Sequence, residues 1–346
     1  MDKESPMSKP KVLYIPTPAH TKRAFHGKDY QRMCDLFDVT ANPEDKNPST
    51  DQVAAQIKGF DALVTGWGVP QLNEKVFENA DRLRIIAHSA GSVKGFLPQE
   101  VVDKHLLPRR IVVFSANHAI AYNVAEYTVG MLITASRRIA EQSEHIHHTG
   151  GWKHPEFNGN GQFLQGSVVG IVSASKVGQE VIRMLKPFDV HILVYDPYLS
   201  DWDAGRLGVE KVELDDLFAR SDMVTLHAPN TPETHGMIGA RQLKRLREGA
   251  LFVNCSRGSV LNHDALYTEA AAGRIRVVLD VTTPEPLPPD SPFRKLPNVI
   301  LTPHVSGAGY YGYNRIGAST VQALEEFFSG RPVTEAVPFE RYATLA

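Results

Sequence analysis

Short apolar runs alternate with amphipathic stretches along almost the whole chain, and this alternation restricts the folds open to it. In the first third the runs are Val12–Ile15, Ala62–Thr65, Arg84–Ala87 and Ile111–Phe114. Each is too short for a helix and is bounded by Pro, Gly or polar residues, so each reads as a strand. Thr50–Gln56 and Asn73–Ala80 lie between them with helical patterns. A second series begins at Val168. Its strand candidates are Val168–Val172, His191–Tyr195, Met223–His227, Leu251–Asn254, Val277–Asp280 and Val299–Leu301. Strands that alternate with helices build a parallel sheet covered on both faces. The expected class is α/β, with two doubly wound parallel sheets.

Between the two series a long helix is expected. Asn123 is positioned to cap it, with Glu126 three residues on as a variant capping box. Val124, Tyr127, Met131, Leu132, Ala135 and Ile139 recur at helical spacing, and Gly150 and Gly151 mark the end. A helix of ~25 residues spans close to ~40 Å, enough to cross from one domain to another. A further helix is expected over Gly317–Phe328, after His304. The expected division is a domain of residues 118–308 inserted into a domain made of 1–117 and 309–346.

Composition excludes several classes of function. Lys and Arg total 37 and Asp and Glu total 39, a formal net charge of -2. A near-neutral chain has no broad attraction for nucleic acid or for an anionic membrane. No apolar run approaches the ~18 residues of a membrane span. Met1–Lys11 is charged and has no apolar core, so it does not read as a signal peptide. The two cysteines, Cys34 and Cys255, form no disulfide framework, which fits a cytoplasmic protein.

Val168–Val172 leads into Ser173-Ala174-Ser175-Lys176-Val177-Gly178, followed by the helical pattern Val181, Ile182, Leu185. This is the strand–turn–helix setting of a dinucleotide fingerprint, with serines at the first two glycine positions. Gly178 keeps the third. Ser175 is expected to meet the pyrophosphate either through its hydroxyl or at a slightly longer range, because its side chain stands at the closest contact. Asp196 ends the next strand, 18 residues after Gly178. A carboxylate there binds the ribose hydroxyls of NAD and repels the 2′-phosphate of NADP.

Three later segments each follow a strand: Asn254-Cys255-Ser256-Arg257-Gly258, Asp280–Pro286 and Thr302–Gly307. Carboxyl ends of parallel strands surround the crevice where ligands bind. Arg257, Glu285 and His304 therefore form a coherent set. The planar fork of Arg suits a carboxylate, and His exchanges a proton near neutral pH. A neighbouring Glu stabilises imidazolium and fixes the ring.

At these segments the chain resembles the D-isomer-specific 2-hydroxyacid dehydrogenase family. The runs DVTTPEPLPPDSPFRKLPNVILTPHVSG (280–307), NCSRGSVLNHDAL (254–266) and LHAPNTPETHGMIG (226–239) carry the likeness. It extends from about Ala62 to Arg331. The resemblance implies two Rossmann-like domains, the split one flavodoxin-like, and a soluble homodimer built largely on the nucleotide domains. It implies that Arg257 binds the substrate carboxylate and that His304, paired with Glu285, moves the proton. Hydride would pass between NAD(H) and C2 of a small 2-hydroxy or 2-keto acid. It places Ser175, Lys176, Val177, Gly178, Asp196, Ala228, Cys255, Ser256, Asp280 and Gly307 at the cofactor, with Asp280 near the nicotinamide carboxamide. The substrate loop is matched only by Gly91 and Ser92. Lys94 stands near the position of an acidic residue, and there it adds a positive charge.

Other residues carry two readings. Trp67 follows a strand, where it either lines a substrate pocket or packs. Tyr310, Tyr311 and Tyr313 divide in the same way. His145, His147 and His148 lie at an expected helix end with no acidic or Cys partners, so no metal is expected. Cys255 is not expected to be a nucleophile, and His227 reads as a structural loop residue. A second functional reading is a non-enzymatic NAD(H)-sensing interaction protein of the corepressor type, because such relatives can keep the Arg/Glu/His set.

Overall fold

The computed structural model describes residues 8–155, 161–308 and 310–344. The chain forms two compact units, one of Met1–Ile120 and Ala308–Leu345, the other of Ala121–Gly307.

The first unit holds five parallel strands: β1 (Lys11–Tyr14), β2 (Asp38–Ala41), β3 (Ala62–Thr65), β4 (Ile85–His88) and β5 (Val112–Ser115). Their order is β2-β1-β3-β4-β5. Side chains alternate between the two faces, as the pleat requires. Leu63, Ile86 and Val113 pack in one apolar cluster with Val53, Ile57 and Phe77. Val12, Tyr14, Ala62, Val64, Ile85 and Ala87 pack in the other with Ile316, Val321 and Leu324. The last three belong to the helix Tyr310–Phe328, which begins seven residues earlier than its apolar pattern suggests. Burying such an aliphatic side chain is worth roughly 1.5–3 kcal/mol. β2 was not anticipated. Its residues are mostly exposed and lack an apolar run, because it is an edge strand paired on one side only.

The second unit holds seven parallel strands: β6 (Val168–Val172), β7 (His191–Tyr195), β8 (Glu210–Lys211), β9 (Met223–Leu226), β10 (Leu251–Asn254), β11 (Arg276–Leu279) and β12 (Val299–Leu301). Their order is β12-β11-β10-β9-β6-β7-β8. The central strands are buried along nearly their whole length, hence their largely apolar sequences. The chain leaves β6 toward β7 on one side and later returns as β9 on the other. The switch point of this sheet therefore lies at the carboxyl ends of β6 and β9, the place where open α/β sheets bind ligands.

The long helix differs from expectation. It runs from Asn117 to Ser136, and a second helix, Ile139–Thr149, follows a left-handed turn at Arg138. Asn123 sits inside the helix and does not cap it. The apolar pattern continues through the break, so spacing alone does not reveal it. The buried guanidinium of Arg276 closes the first helix by donating to the carbonyls of Ala135 and Ser136 at 2.9 and 3.2 Å.

In the first unit two buried histidines have their pKa values depressed by desolvation, His88 to about 3 and His20 to about 4, with Arg23 adding to the effect at His20. Both fall below the unfolded value near 6.5. The unfolded chain therefore binds more protons, and stability rises with pH over that interval. The contribution is complete above about pH 6.5 and is lost as pH falls toward 4 and then 3. The melting temperature should drop over that window. His88→Asn should flatten the drop, as followed by calorimetry from pH 7 to 4. A variant with an unchanged pH slope would exclude His88 as a source.

Candidate active site

The nucleotide end of the second unit is organised around Asp196. Ser173 occupies the first glycine position with φ 80°, a left-handed conformation that a serine adopts at a cost. Its hydroxyl donates to Asp196 Oδ2 at 3.1 Å, and the Ala174 N–H donates to the same oxygen at 2.8 Å. The Tyr198 N–H donates to Asp196 Oδ1 at 2.8 Å. Three donors leave one acceptor position on a carboxylate that can take about four.

The Ser175 hydroxyl is engaged within the protein. It caps the helix Lys176–Leu185, accepting from the Gly178 N–H at 3.3 Å and donating to the His227 carbonyl at 2.9 Å. The second bond ties the loop after β6 to the loop after β9, across the switch point. Gly178 is required for another reason: a Cβ there would lie 2.1 Å from the Ser173 carbonyl oxygen. Lys176 and Val177 open the helix, where first-turn N–H groups and the helix dipole favour an anion. A dinucleotide fits these residues, with its pyrophosphate at the helix start and a ribose at the remaining acceptor of Asp196. Ala228 is buried beside His227. Burial pushes the His227 pKa down to about 3, so the ring beside this site stays neutral, paired through Nε2 with Thr225 Oγ1 at 2.9 Å.

The catalytic candidates lie on the loops after β10, β11 and β12. Asn254, fully buried, shapes the first loop. Its Oδ1 accepts from the Ser256 N–H at 3.0 Å, and its Nδ2 donates to the Arg257 carbonyl at 3.1 Å. Arg257 has an exposed side chain whose Nη1 donates to the Ser256 carbonyl at 2.7 Å. Surrounding protein lowers its pKa through desolvation while the negative charge of Glu285 opposes this. It stays charged at any working pH. A Cβ on Gly258 would meet the Thr282 carbonyl carbon and oxygen at 2.2 Å, so glycine lets this loop close against the one that carries Glu285.

His304 Nδ1 lies 2.5 Å from Glu285 Oε1. Both side chains are partly exposed, at 47% and 41%. The pairing leaves Nε2 as the ring atom that can exchange a proton with a ligand. His304 has φ 54°, a left-handed conformation costing roughly 1–2 kcal/mol. Asp280, buried, holds it there. Its carbonyl accepts from the His304 N–H at 2.8 Å. Its Oδ1 accepts from Thr302 Oγ1 at 2.7 Å and the Val305 N–H at 2.8 Å, and its Oδ2 accepts from the Ser306 N–H at 2.9 Å.

Cys255 is buried, which raises its thiol pKa to about 12, so it is not a thiolate nucleophile. The Gly307 carbonyl accepts from Asn123 Nδ2 at 3.0 Å. Trp67, Gly91 and Ser92 belong to the first unit. Trp67 is 37% exposed, with its ring edge-on to Tyr313 at 5.3 Å and near His20 at 5.0 Å. The Gly91 carbonyl accepts from Ser115 Oγ at 2.5 Å, and Ser92 Oγ accepts from the Lys94 N–H at 3.4 Å. The side chains of Tyr310 and Tyr311 lie outside the described residues. Asn254, Asn123, Tyr127 and Thr302 carry no site role in the sequence reading, where Asn123 reads as a helix cap and Tyr127 as part of the apolar pattern. For Asn254 a signal existed: an Asn at a strand end, two residues before Ser256, is a common turn-former.

Comparison with known proteins identifies the family. Residues 129–306 match the NAD-binding domain of the D-isomer-specific 2-hydroxyacid dehydrogenases. The chain is 35% identical over 299 residues to a glyoxylate reductase of Korarchaeum cryptofilum, covering 85% of this chain and 87% of that protein. It is 30% identical over 291 residues to a D-3-phosphoglycerate dehydrogenase of Archaeoglobus fulgidus, covering 84% of this chain. It spans only about half, 53%, of that longer relative. A crystal structure of a protein from Thermus thermophilus superposes with a TM-score of 0.73 at 26% identity, covering 95% of this chain and all of the other. The chain belongs to the D-isomer-specific 2-hydroxyacid dehydrogenase family, with NAD(H) as its cofactor.

Proposed function

We propose that the protein interconverts a D-2-hydroxy acid and its 2-keto acid. The observation that carries this reading is the 2.5 Å pair of His304 Nδ1 and Glu285 Oε1, set at strand ends of the nucleotide-binding unit. When bound, the nicotinamide supplies or accepts the hydride at substrate C2. Arg257 binds the substrate carboxylate and draws electron density from the carbonyl. Glu285 accepts from Nδ1–H and so keeps Nε2 as the reacting nitrogen. In reduction, Nε2–H of the imidazolium gives its proton to the developing alkoxide. In oxidation, neutral Nε2 takes the hydroxyl proton. Trp67, Gly91 and Ser92 of the first unit remain candidate substrate contacts.

A panel of 2-keto acids, scored by NADH oxidation, tests the reading directly. His304→Ala should lower kcat by ~10²–10⁴-fold, the usual worth of a general acid–base group, with NADH affinity largely kept. Arg257→Lys should act mainly on kcat/KM for the keto acid, because an ammonium lacks the bidentate fork. Near-wild-type kcat in His304→Ala would remove His304 from the mechanism. Wild type that turned over no acid on the panel would instead favour a non-enzymatic NAD(H)-binding role.

The loop around Asp196 supports NADH over NADPH, because a second negative charge beside this carboxylate is repulsive. Asp196→Ala should relax that preference. It should also loosen the loop, since Ser173 and Ala174 lose their acceptor. Fluorescence titration with both cofactors measures the ratio, and equal wild-type affinities would overturn the assignment.

A homodimer also belongs to this reading. Ile139, Ile146 and Trp152 of the second unit are 50%, 42% and 81% exposed. A second copy of the chain that covered them would remove this apolar area from water. Trp152→Asp should shift the mass toward monomer in light scattering. A wild-type monomer at assay concentration would refute the dimer.

A further inference from the structure

The loop that carries His304 is held at both ends by one face of the long helix Asn117–Ser136. Asn123 and Tyr127 are four residues apart, so their side chains lie one above the other on that face. The Tyr127 hydroxyl lies 2.6 Å from Thr302 Oγ1, at the start of the loop. Asn123 Nδ2 donates to the Gly307 carbonyl at 3.0 Å, at its end. His304 lies between these anchors. We infer that Asn123 and Tyr127 are positioning residues for His304, acting through the Thr302–Gly307 loop and not on the substrate.

The directions of the hydrogen bonds follow from the chemistry of the partners. A carboxylate only accepts, so the Thr302 hydroxyl donates to Asp280 Oδ1 at 2.7 Å. Thr302 Oγ1 must then accept from the Tyr127 hydroxyl. Burial, with a smaller push from Asp280, raises the Tyr127 pKa to about 12 against the opposing effect of Thr302, so the phenol keeps the proton it donates. The chain Tyr127–Thr302–Asp280 thus runs one way. It ends on the carboxylate that also takes the Val305 and Ser306 N–H groups. Removing the phenol hydroxyl leaves Thr302 without its donor and frees its side chain to turn away from Asp280. The loop then loses a constraint on a left-handed residue that gains little from staying there. A misplacement of about 1 Å far from the chemistry can cost ~10²-fold in rate.

The inference rests on His304 being the proton-transfer residue, and the test separates the two claims. Tyr127→Phe removes one oxygen and keeps the ring. It should lower kcat by roughly 5–50-fold, within the range such a misplacement allows. KM for NADH should stay within about twofold, because the lost bond is to Thr302, which holds Asp280 Oδ1, while the acceptor position left for the cofactor is on Oδ2. Thr302→Val should reproduce the loss, and the double variant should be no worse than either single one. In a His304→Ala background, Tyr127→Phe should add less than about twofold, since the residue through which it acts is gone. Hydrogen exchange at the Val305 and Ser306 amides gives a readout independent of turnover. It should quicken at least about tenfold in Tyr127→Phe and in Asn123→Ala while the sheet amides hold, as local opening without global loss requires. Wild-type kcat in Tyr127→Phe would overturn the inference, as would an equal loss in the His304→Ala background. Unchanged exchange at residues 305 and 306 would overturn it even if no keto acid proved to be a substrate. A fall in melting temperature with unchanged kcat would leave only a packing role for Tyr127, and that too would reject it.

Discussion

The carboxylate of Asp280 is the constraint from which the geometry of the candidate site follows. It is buried at the end of β11 and would be costly there without partners. The partners all come from one short segment, Thr302, Val305 and Ser306, and the Asp280 carbonyl adds His304. Desolvation of the charge and disposal of the loop N–H groups are therefore solved together. The result is a loop that can hold a histidine at positive φ with its ring against Glu285. The family likeness places Asp280 near the nicotinamide carboxamide. Three accepted bonds still leave one acceptor position on Oδ2, so anchoring the loop and contacting the cofactor do not compete.

The serine-containing phosphate loop is repaired by the same kind of exchange. A glycine at position 173 would adopt φ 80° freely, whereas a serine does so at a cost. Its hydroxyl recovers part of that cost by bonding Asp196 Oδ2. Ser175 gives up the close backbone approach of a glycine and gains a helix cap and a bond to the His227 carbonyl. Only Gly178 admits no substitute, because its clash would be with backbone, not with a movable side chain. The fingerprint thus tolerates change where a hydroxyl can supply a replacement bond and resists it where volume alone decides.

This explains which parts of the molecule were legible in the sequence. Strands β3, β6, β7 and β10 match their apolar runs because each has a neighbour on both sides and is buried over most of its length, and the edge strand β12 matches because Val299 and Leu301 pack against the core. β2 and the two-residue β8 carry no apolar run and were missed, since edge pairing asks little of side chains. The apolar face of the long helix was readable. Its true start at Asn117 and its break at Arg138 were not, because they are set by tertiary partners such as Arg276. The segments carrying Arg257, Glu285 and His304 stood out because charged residues at strand ends have little structural reason to be there. Asn123 read as a helix cap and Tyr127 as part of the apolar pattern, so neither stood out as a neighbour of the site. On a helix of high apolar content, an amide and a phenol facing the interior look like ordinary packing until the acceptor across from them is known.

The histidines show how surroundings select a role that residue type leaves open. His227 sits at the switch point beside Ala228, close to where the fingerprint places a pyrophosphate. A charged imidazolium there would attract phosphate strongly. Burial makes that state inaccessible near neutral pH, and the ring pairs with Thr225. In the proposed reading the cofactor is left to the helix start at Lys176 and to Asp196, and a carboxylate can distinguish one nucleotide from another in a way a point charge on phosphate cannot. His304 is the opposite case. It is nearly half exposed, fixed through Nδ1 by Glu285 and through its backbone by Asp280, so one nitrogen remains open to a ligand. Such a ring has access on one side and is tied on the others, and the Asp280 network supplies the backbone ties with groups of the loop itself.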